Sequence, residues 1–460
     1  MKHYQTARKA RDVRYDGKFF VAVKTTKIYC RPVCPAPSPK ESNVSYYSSA
    51  IQAERAGYRP CLRCRPESAP YSAAWLGNQA LLRKAMNKIE AGELNQRKLP
   101  QLAESMGISD RYLRKLFQQH LGVSPIHYAN HVRLMFAKQL LHESELSITQ
   151  VAFSSGFNSL RRFNDAFKQT MRMSPSALRH KLNNLAVDKD NKIAQHNAIR
   201  LKLNYRPPYN WPMMQNFLQQ REINCIENIT RDSYQRTFRY KQATGQFKAT
   251  HIPTKHQFQI ELEIDNLIHL MAVTNKIRQV LDLNSDLNVI EKHLTKDIKL
   301  KPLIKQGLRL PACWDAFEAG VKAILGQQVS VKAAYGHTSQ LIEELGSTLN
   351  DNFKLFPTAQ QVMASELDFL RMPQSRKQTL KNFAQWYINN QGENLESILN
   401  LKGIGPWTYE YIKLRSGTDS DAYPEKDLGV IKALEKYQLS DPQQWSPWRS
   451  YATLHLWNSI

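Results

Sequence analysis

Four of the six cysteines in this 460-residue chain fall into two close pairs. Cys30 and Cys34 form the first pair, and Cys61 and Cys64 form the second as a Cys-x-x-Cys. Two short turns that each present two sulfurs are what tetrahedral zinc coordination by thiolates requires. The spacing therefore predicts one Zn²⁺ ion held by these four side chains.

A pair of disulfides is the alternative interpretation of the same cysteines. The amino-terminal sequence does not resemble a secretion signal, so we expect a reducing compartment, in which thiolates bind metal instead of pairing. The cysteines are surrounded by arginines, and a cationic surface of this kind suits phosphate groups. The flanking arginines that we expect to contact DNA are Arg31, Arg63 and Arg65.

A second stretch whose residues could carry out chemistry lies near residue 400. Gly403 and Gly405 form a Gly-x-Gly between two predicted helices, where bare backbone amides can approach a phosphate. Asp427 follows 22 residues after Gly405, and a fixed carboxylate can stabilise positive charge that develops on a sugar. Taken alone, the glycines also fit an ordinary helix corner, and Asp427 also fits a helix N-cap.

Charge and length indicate what kind of chain carries these residues. Lys and Arg total 64 against 40 Asp and Glu, and residues 1–185 hold 30 basic and 12 acidic side chains. A basic chain without a transmembrane run favours nucleic acid over a lipid surface as partner. We expect three or four domains, nucleic acid as partner, no membrane contact, and a cytoplasmic, nucleoid-associated location.

A repeat follows the cysteines between about residues 97 and 180. Leu102-Ala103, Gly107, Phe117 and Ser124-Pro125 return 49 to 50 residues later as Val151-Ala152, Gly156, Phe167 and Ser174-Pro175. Each copy predicts two helices joined by a glycine turn, the pattern of a helix-turn-helix. In the second copy, Leu160, Phe163, Ala166 and Phe167 form the predicted buried stripe. The second helices of the two copies expose basic side chains able to contact DNA, among them Arg111, Arg114, Arg161 and Arg162.

The remaining chain predicts a sheet and then helices. Alternating apolar residues predict strands at 199–205, 223–229, 237–240 and 258–264, with a helix at 211–220. From about residue 311 the pattern is helical to the end. The polar stretch at 186–198 is predicted to be a linker.

Three parts of the chain resemble known families. Residues 19–32 and 56–61 resemble the amino-terminal domain of Ada-type adaptive-response proteins, and the tandem repeat resembles the DNA-binding domain of AraC-type activators. The Gly403 to Thr408 stretch, Asp427, and the Trp448 and Trp457 segments resemble AlkA-type 3-methyladenine DNA glycosylases of the helix-hairpin-helix superfamily.

These resemblances imply roles for particular residues. Cys30 matches the zinc cysteine that removes methyl groups from DNA methyl phosphotriesters in the Ada family. Asp427 matches the catalytic aspartate of the glycosylases, although an insertion near Pro424 leaves Glu425 as a competitor. Trp407, Tyr411 and Trp457 match aromatic positions that can stack on a flipped cationic base, or they pack in a helical core. Trp407 also stands where strand-cutting relatives carry a lysine, so no lyase activity is expected.

The whole chain is therefore expected to be a multidomain α+β protein. The predicted parts are an Ada-like zinc domain with a methyl-acceptor cysteine (1–78), an all-α tandem helix-turn-helix domain (79–185), a linker (186–198), an AlkA-like antiparallel-sheet domain (199–300), and an all-α helix-hairpin-helix glycosylase domain (301–460).

The expected function is DNA alkylation repair coupled to regulation. Methyl groups would pass from phosphotriesters to Cys30, and alkylated bases such as 3-methyladenine would be excised by hydrolysis alone. The expected partners are damaged and promoter DNA, with RNA polymerase as the partner of the methylated protein. Two alternatives stay open: an activator whose glycosylase-like half only binds DNA, and an active glycosylase whose zinc domain is purely structural.

Overall fold

The computed structural model describes residues 2–12, 15, 16, 18–48, 50–61, 63, 64, 66, 80–185, 198–390, 395–439 and 441–460. The predicted linker at 186–198 and Arg65 therefore lie outside the described residues, apart from residue 198. The chain forms two compact units, which we call the first and the second unit. The first unit comprises Met1–Pro207, Ile252–Ile277 and Leu283–Asp286, and the second comprises Pro208–His251, Arg278–Asp282 and Leu287–Ile460.

The first unit begins with a small sheet. Its elements are α1 (Lys2–Lys9), β1 (Phe20–Val23), β2 (Ile28–Cys30), β3 (Val44–Tyr47), α2 (Ala50–Arg55) and β4 (Arg59–Pro60), and the strand order is β3-β1-β2-β4. Successive side chains of β1 point to opposite faces, as the pleat of a strand requires. Phe20 and Ala22 pack with Tyr29 on one face, whereas Phe19 and Val21 pack on the other.

Among the described residues, a series of helices follows the small sheet in the first unit. They are α3 (Ala80–Glu90), α4 (Glu93–Gln96), α5 (Leu99–Glu104), α6 (Asp110–Leu121), α7 (Pro125–Glu143), α8 (Ile148–Ser154), α9 (Leu160–Met171) and α10 (Pro175–Leu185). The predicted repeat is present as the α5-α6 and α8-α9 pairs, with Gly107 and Gly156 at positive φ in the two turns. Ser109 and Ser159 cap α6 and α9 by accepting a backbone N–H from the first turn.

One residue of the predicted buried stripe is misplaced. Phe163 and Phe167 of α9 are fully buried, but Leu160 is 37% exposed. Leu160 is the first residue of α9, at the end of the helix where Asn158, Arg161 and Arg162 are exposed as well. The prediction that Leu160 is buried is therefore wrong.

Strands occur in both units after residue 198. In the first unit, β5 (Ile199–Asn204) pairs antiparallel with β9 (Gln257–Ile264). In the second unit, α11 (Trp211–Gln219) precedes an antiparallel ladder of β6 (Glu227–Ile229), β7 (Ser233–Tyr240) and β8 (Ala243–Ile252). The predicted strand at 223–229 begins only at Glu227, because the amides of Ile226 and Glu227 fold back in a turn onto the carbonyl oxygen of Ile223.

The carboxy-terminal part is helical, as predicted from about residue 311 onward, whereas its first two helices lie within 199–300, the stretch predicted to be a sheet domain. Its helices are α12 (Leu270–Val280), α13 (Leu287–Leu294), α14 (Ala316–Leu325), α15 (Val331–Leu345), α16 (Ala359–Ala364), α17 (Gln374–Asn390), α18 (Pro406–Arg415), α19 (Leu428–Tyr437) and α20 (Arg449–Trp457). In the second unit, α14 is buried along its length and packs on α17, where Gly320 leaves room for the ring of Phe383. The multidomain α+β class is confirmed.

Candidate functional sites

The four predicted metal ligands come together in the first unit. The Sγ atoms of Cys30, Cys34, Cys61 and Cys64 all lie within 4.8 Å of one another. Tetrahedral Zn–S bonds of about 2.3 Å place sulfurs about 3.8 Å apart. The four cysteines are free of disulfides, so the cluster has the size and donor chemistry of a thiolate metal site, and zinc fits it.

Strand pairing explains why residues that are 30 positions apart meet. β2 ends at Cys30 and runs parallel to β4, with Tyr29 opposite Pro60. The amide of Cys61 then donates to the carbonyl oxygen of Tyr29 at 2.9 Å. The amide of Arg31 donates to Sγ of Cys64 at 3.3 Å, as is common for a metal-binding thiolate.

The two cysteine pairs of the cluster differ in solvent exposure. Cys61 and Cys64 are buried, whereas Cys30 and Cys34 are half-buried. Hydrogen bonding with Cys34 and with Cys61 raises the pKa of Cys30, because its proton is shared with neighbouring sulfurs that would repel one another as thiolates. A divalent cation among the sulfurs removes that repulsion, so the cluster is chemically suited to bind one.

The arginines around the cluster have different surroundings. Arg31 directs its guanidinium to both carboxylate oxygens of Asp16, with Nε to Oδ1 at 2.8 Å, and to the carbonyl oxygen of Cys64. Its side chain is only 11% exposed. Arg63 is exposed, while Arg65 is not among the described residues.

The two helix-turn-helix pairs present the predicted basic faces. Arg111 and Arg114 on α6 are exposed, and so are Arg161 and Arg162 on α9. The apolar residues of both helices face inward, with Phe117 and Phe167 fully buried. Each copy therefore offers a capped helix with arginines on its open face, the form that reads a major groove.

The Gly-x-Gly lies where α18 begins. Gly403 has a φ of 89° and touches Thr379 closely enough that a Cβ would lie 2.1 Å from the Thr379 hydroxyl, so only glycine fits there. Gly405 is the N-cap of α18, and a Cβ at this position would meet nothing within 4 Å. The turn is thus rigid on its inner side and open on its outer side, which leaves the backbone accessible to a phosphate.

Asp427 caps α19 and also binds two indoles in the second unit. Its Oδ1 accepts the backbone N–H of Gly429 at 2.9 Å and of Val430 at 3.2 Å, together with the indole N–H of Trp457 at 2.8 Å. Its Oδ2 accepts the indole N–H of Trp407 at 3.1 Å. Four neutral donors fix a half-buried carboxylate, while the competing Glu425 is exposed.

Two of the three predicted aromatic residues, Trp407 and Trp457, bond this carboxylate, and the third, Tyr411, contacts both of their rings. The Trp407 and Tyr411 rings stack with centroids 5.3 Å apart, and Tyr411 meets the Trp457 ring at 6.1 Å. All three are half-buried instead of enclosed in the core. The arrangement gives an open aromatic wall beside a fixed negative charge.

Sequence reasoning missed several supporting residues. Gln327 donates to the carbonyl oxygen of Gly403 at 2.9 Å and to the hydroxyl of Thr408 at 3.2 Å. The buried Lys138 donates to the carbonyl oxygen of Cys61 at 2.9 Å. A lysine inside the apolar run of α7 was a signal for such a contact, whereas nothing in the sequence linked Asp16 to Arg31.

No helix among the described residues combines the length and apolarity needed to cross a membrane.

Comparison with known families matches three parts of the chain. Residues 3–67 match the metal binding domain of Ada, residues 102–181 match a helix-turn-helix domain, and residues 200–315 match the AlkA N-terminal domain.

Similar curated proteins cover the whole chain or its halves. A probable bifunctional transcriptional activator/DNA repair enzyme AlkA of Mycobacterium tuberculosis is 32% identical over 98% of this chain and 95% of its own length. DNA-3-methyladenine glycosylase 2 of Escherichia coli is 31% identical over 55% of this chain and 95% of its own length. The bifunctional transcriptional activator/DNA repair enzyme Ada of Escherichia coli is 34% identical over 39% of this chain and 49% of its own length.

Proposed function

This chain belongs to the family of bifunctional transcriptional activator/DNA repair proteins that join an Ada-type metal-binding domain and a helix-turn-helix domain to an AlkA-type glycosylase, and from that premise we propose that it performs two distinct repair reactions. One is a stoichiometric methyl transfer to Cys30. The other is hydrolytic release of alkylated bases at Asp427. Both act on double-stranded DNA, in keeping with alkylation repair and its regulation.

In the first reaction the sulfur of Cys30 attacks the methyl carbon of a DNA methyl phosphotriester. The S–C bond forms as the C–O bond breaks, and the phosphate leaves as an ordinary phosphodiester anion. Zinc, when bound by the four cysteines, supplies the charge that keeps the attacking sulfur ionised. The greater exposure of Cys30 and Cys34 relative to Cys61 and Cys64 supports Cys30 as the sulfur that DNA can reach.

Peptide mass spectrometry tests this acceptor role. Protein incubated with DNA that carries methyl phosphotriesters should gain one methyl group on the peptide that contains Cys30. The matched control is Cys225→Ala, which removes an isolated cysteine and should leave the transfer intact. Methyl on Cys34 instead of Cys30, or on no cysteine, would overturn the assignment.

In the second reaction the flipped nucleotide loses its base. Breaking the N-glycosidic bond builds positive charge on the sugar, and the Asp427 carboxylate stabilises that charge while water adds to the sugar carbon. The indole N–H groups of Trp407 and Trp457 orient both carboxylate oxygens. This four-donor arrangement around one carboxylate is the observation that carries the glycosylase proposal.

The aromatic wall of Trp407, Tyr411 and Trp457 would select the base. Alkylation at a ring nitrogen gives a purine positive charge, and a cation is attracted to the faces of Trp and Tyr rings. Trp407, Tyr411 and Trp457 provide such faces beside Asp427. We infer that cationic bases such as 3-methyladenine are the preferred substrates.

Base release from alkylated DNA is the decisive assay. Asp427→Asn keeps the shape but removes the charge, so release should fall by on the order of 10³-fold while DNA binding persists. Glu425→Gln removes an exposed carboxylate two residues away and should release bases at the wild-type rate. Base release by Asp427→Asn at the wild-type rate would remove this carboxylate from the mechanism. No base release by the wild type would leave the alternative of a half that only binds DNA.

The glycosylase should act without cutting the strand. A Schiff base with the sugar requires an amine at the site, and Trp407 occupies the position where lyase relatives carry lysine. Borohydride treatment during turnover should therefore trap no covalent protein–DNA adduct. A trapped adduct would show that another amine of the chain attacks the sugar.

Methylation of Cys30 is also the proposed regulatory signal. Four thiolates around a divalent zinc carry a charge of about −2, and one thioether changes this to about −1. The methylated centre repels DNA less, so α6 and α9 would bind promoters more tightly and RNA polymerase would follow. Promoter affinities of methylated and unmethylated protein over a salt series test the switch, with Cys30→Ala as control. Equal affinities at every salt concentration would exclude it.

A further inference from the structure

A charged cavity lies inside the second unit. It is bordered by residues of α11, β6, β7, α14, α15 and α18, and its accessible space of about 10 Å³ has room for about one water-sized occupant. Its charged lining consists of Arg221, Glu227, Arg236, Glu318, Lys322 and Arg415. Four cations against two carboxylates leave the lining with two excess positive charges.

The charges of four of these side chains balance one another. Arg236 bonds Glu318 at 2.8 Å and reaches Glu227 at 3.3 Å, and Lys322 bonds Glu318 at 2.7 Å. Burial alone would raise the pKa of Glu318, but Arg236 and Lys322 outweigh burial and lower it to about 2. Two cations and two carboxylates thus form a neutral buried network.

Arg415 forms no ion pair with either of these carboxylates in the described part of the chain. Its side chain is 5% exposed, and its Nε and Nη1 atoms lack a hydrogen-bond partner within the described ranges. Its Nη2 only touches Sγ of Cys313 at 3.8 Å. Burial raises the pKa of Cys313, so the thiol stays neutral and does not balance the guanidinium.

Arg221, which is half-buried, is the second cation of the lining without a carboxylate partner among the described residues. Its Nη1 donates to two neutral oxygens, the carbonyl of Phe217 at 3.3 Å and the amide of Gln220 at 3.5 Å. The guanidinium groups of Arg221 and Arg415 lie 3.8 Å and 4.9 Å from the centre of the same Phe217 ring. Two cations that share one ring repel each other, and neither forms an ion pair with a carboxylate in the part of the chain that the structure describes.

We propose that the cavity binds a small monovalent inorganic anion of the chloride class between Arg221 and Arg415. Such an ion would accept from the vacant Nε and Nη1 of Arg415 and would reduce the repulsion between the two guanidinium groups. Burying an unpaired guanidinium is unfavourable, so the bound anion contributes directly to the stability of the fold.

The position of Arg415 links this anion to the base-release site. Trp407, Tyr411 and Arg415 are spaced four residues apart on α18, so they share one face of the helix. The anion anchors the carboxyl end of that face, while Trp407 binds Asp427 at its amino end. Loss of the anion should therefore loosen α18 as well as lower stability.

Thermal unfolding of the full, zinc-loaded chain tests the proposal. At constant ionic strength, replacing gluconate stepwise with chloride should raise the Tm along a saturable curve, because the ion binds only the folded state. Arg415→Met keeps the bulk of the side chain and should abolish the dependence on chloride. Arg449→Met removes an arginine that pairs with Asp421 and should keep the dependence.

Crystals of the wild-type protein soaked in bromide provide an independent measurement. An anomalous peak between Arg221 and Arg415 is expected, and Arg221→Met serves as the second variant if Arg415→Met does not fold. A cavity without bromide, or equal Tm values in chloride and gluconate, would overturn the proposal. So would chloride dependence that emerges only in Cys313→Ser, which would identify a Cys313 thiolate as the native counter-ion.

Discussion

The cysteine cluster and the Asp427 site both concentrate negative charge at a half-exposed position, but they fix that charge in opposite ways. Four sulfurs come within 4.8 Å of one another and need a cation from outside the chain. The single carboxylate of Asp427 is fixed by neutral N–H groups that the chain itself supplies. The first site is completed by an ion and the second by folding of the chain itself. Removing the metal or changing single residues should therefore affect one site without the other.

Removing the metal should produce the largest effect. Structural zinc contributes on the order of 10 kcal/mol to small domains, and the small aromatic clusters around β1 are too few to replace it. Chelation, or Cys61→Ala, should abolish hydrogen-exchange protection of β1 to β4. Base release at Asp427 should continue in the same sample.

This prediction has a control variant and an outcome that would contradict it. Cys225→Ala removes a cysteine outside the cluster and should preserve protection of the small sheet. If base release disappears together with the metal, the two sites are not independent and the contrast drawn above fails.

The contrast also explains what could be predicted from the sequence. The metal ligands were identified from spacing alone, because each short turn presents its two sulfurs locally and the strand pairing of β2 with β4 only has to join them. Asp427 and its aromatic neighbours were named through a family resemblance. That two indoles donate to the carboxylate was beyond prediction, because Trp407 and Trp457 approach from 20 and 30 residues away and side-chain orientation decides the bond.

Acid should produce the next effect, and in the second unit we trace it to His455. Burial, together with the nearby Lys305, lowers the pKa of His455 to about 4. Between pH 6.5 and about 4 the unfolded state therefore binds a proton that the folded state does not, so stability falls as pH falls through this window. The full difference is about 3 kcal/mol.

Tryptophan fluorescence during urea unfolding measures this loss. Seven of the eight tryptophans lie at or beyond residue 211, so the signal reports mainly the second unit. His455→Gln keeps an acceptor for the Lys305 amide, which donates to Nδ1 at 3.2 Å, and should flatten the pH dependence. An unchanged slope would assign the acid sensitivity to other groups.

Trp457→Phe should have a smaller effect than loss of the carboxylate itself. It deletes the indole donor to Oδ1 of Asp427, and a hydrogen bond to a charged group contributes about 1.5 to 3 kcal/mol. Base release should fall roughly 10- to 100-fold with the fold intact. Trp386→Phe is the matched control, because that indole donates to the hydroxyl of Ser397 instead. Equal losses in both variants would indicate general destabilisation.

The smallest expected change tests whether the chain itself positions the carboxylate. A Cβ at Gly429 would lie 3.0 Å from Oδ1 of Asp427 and 3.0 Å from Cδ1 of Trp457, so Gly429→Ala should displace both by a few tenths of an ångström and slow base release several-fold. Gly336→Ala in α15 meets nothing within 4 Å and should add about 0.5 to 1 kcal/mol of stability without altering the rate. Because alanine favours a helix over glycine at both positions, stability alone cannot separate the two variants. A rate that drops only in Gly429→Ala would show that main-chain geometry holds Asp427 in place, whereas an unaffected rate would mean that the carboxylate tolerates displacement.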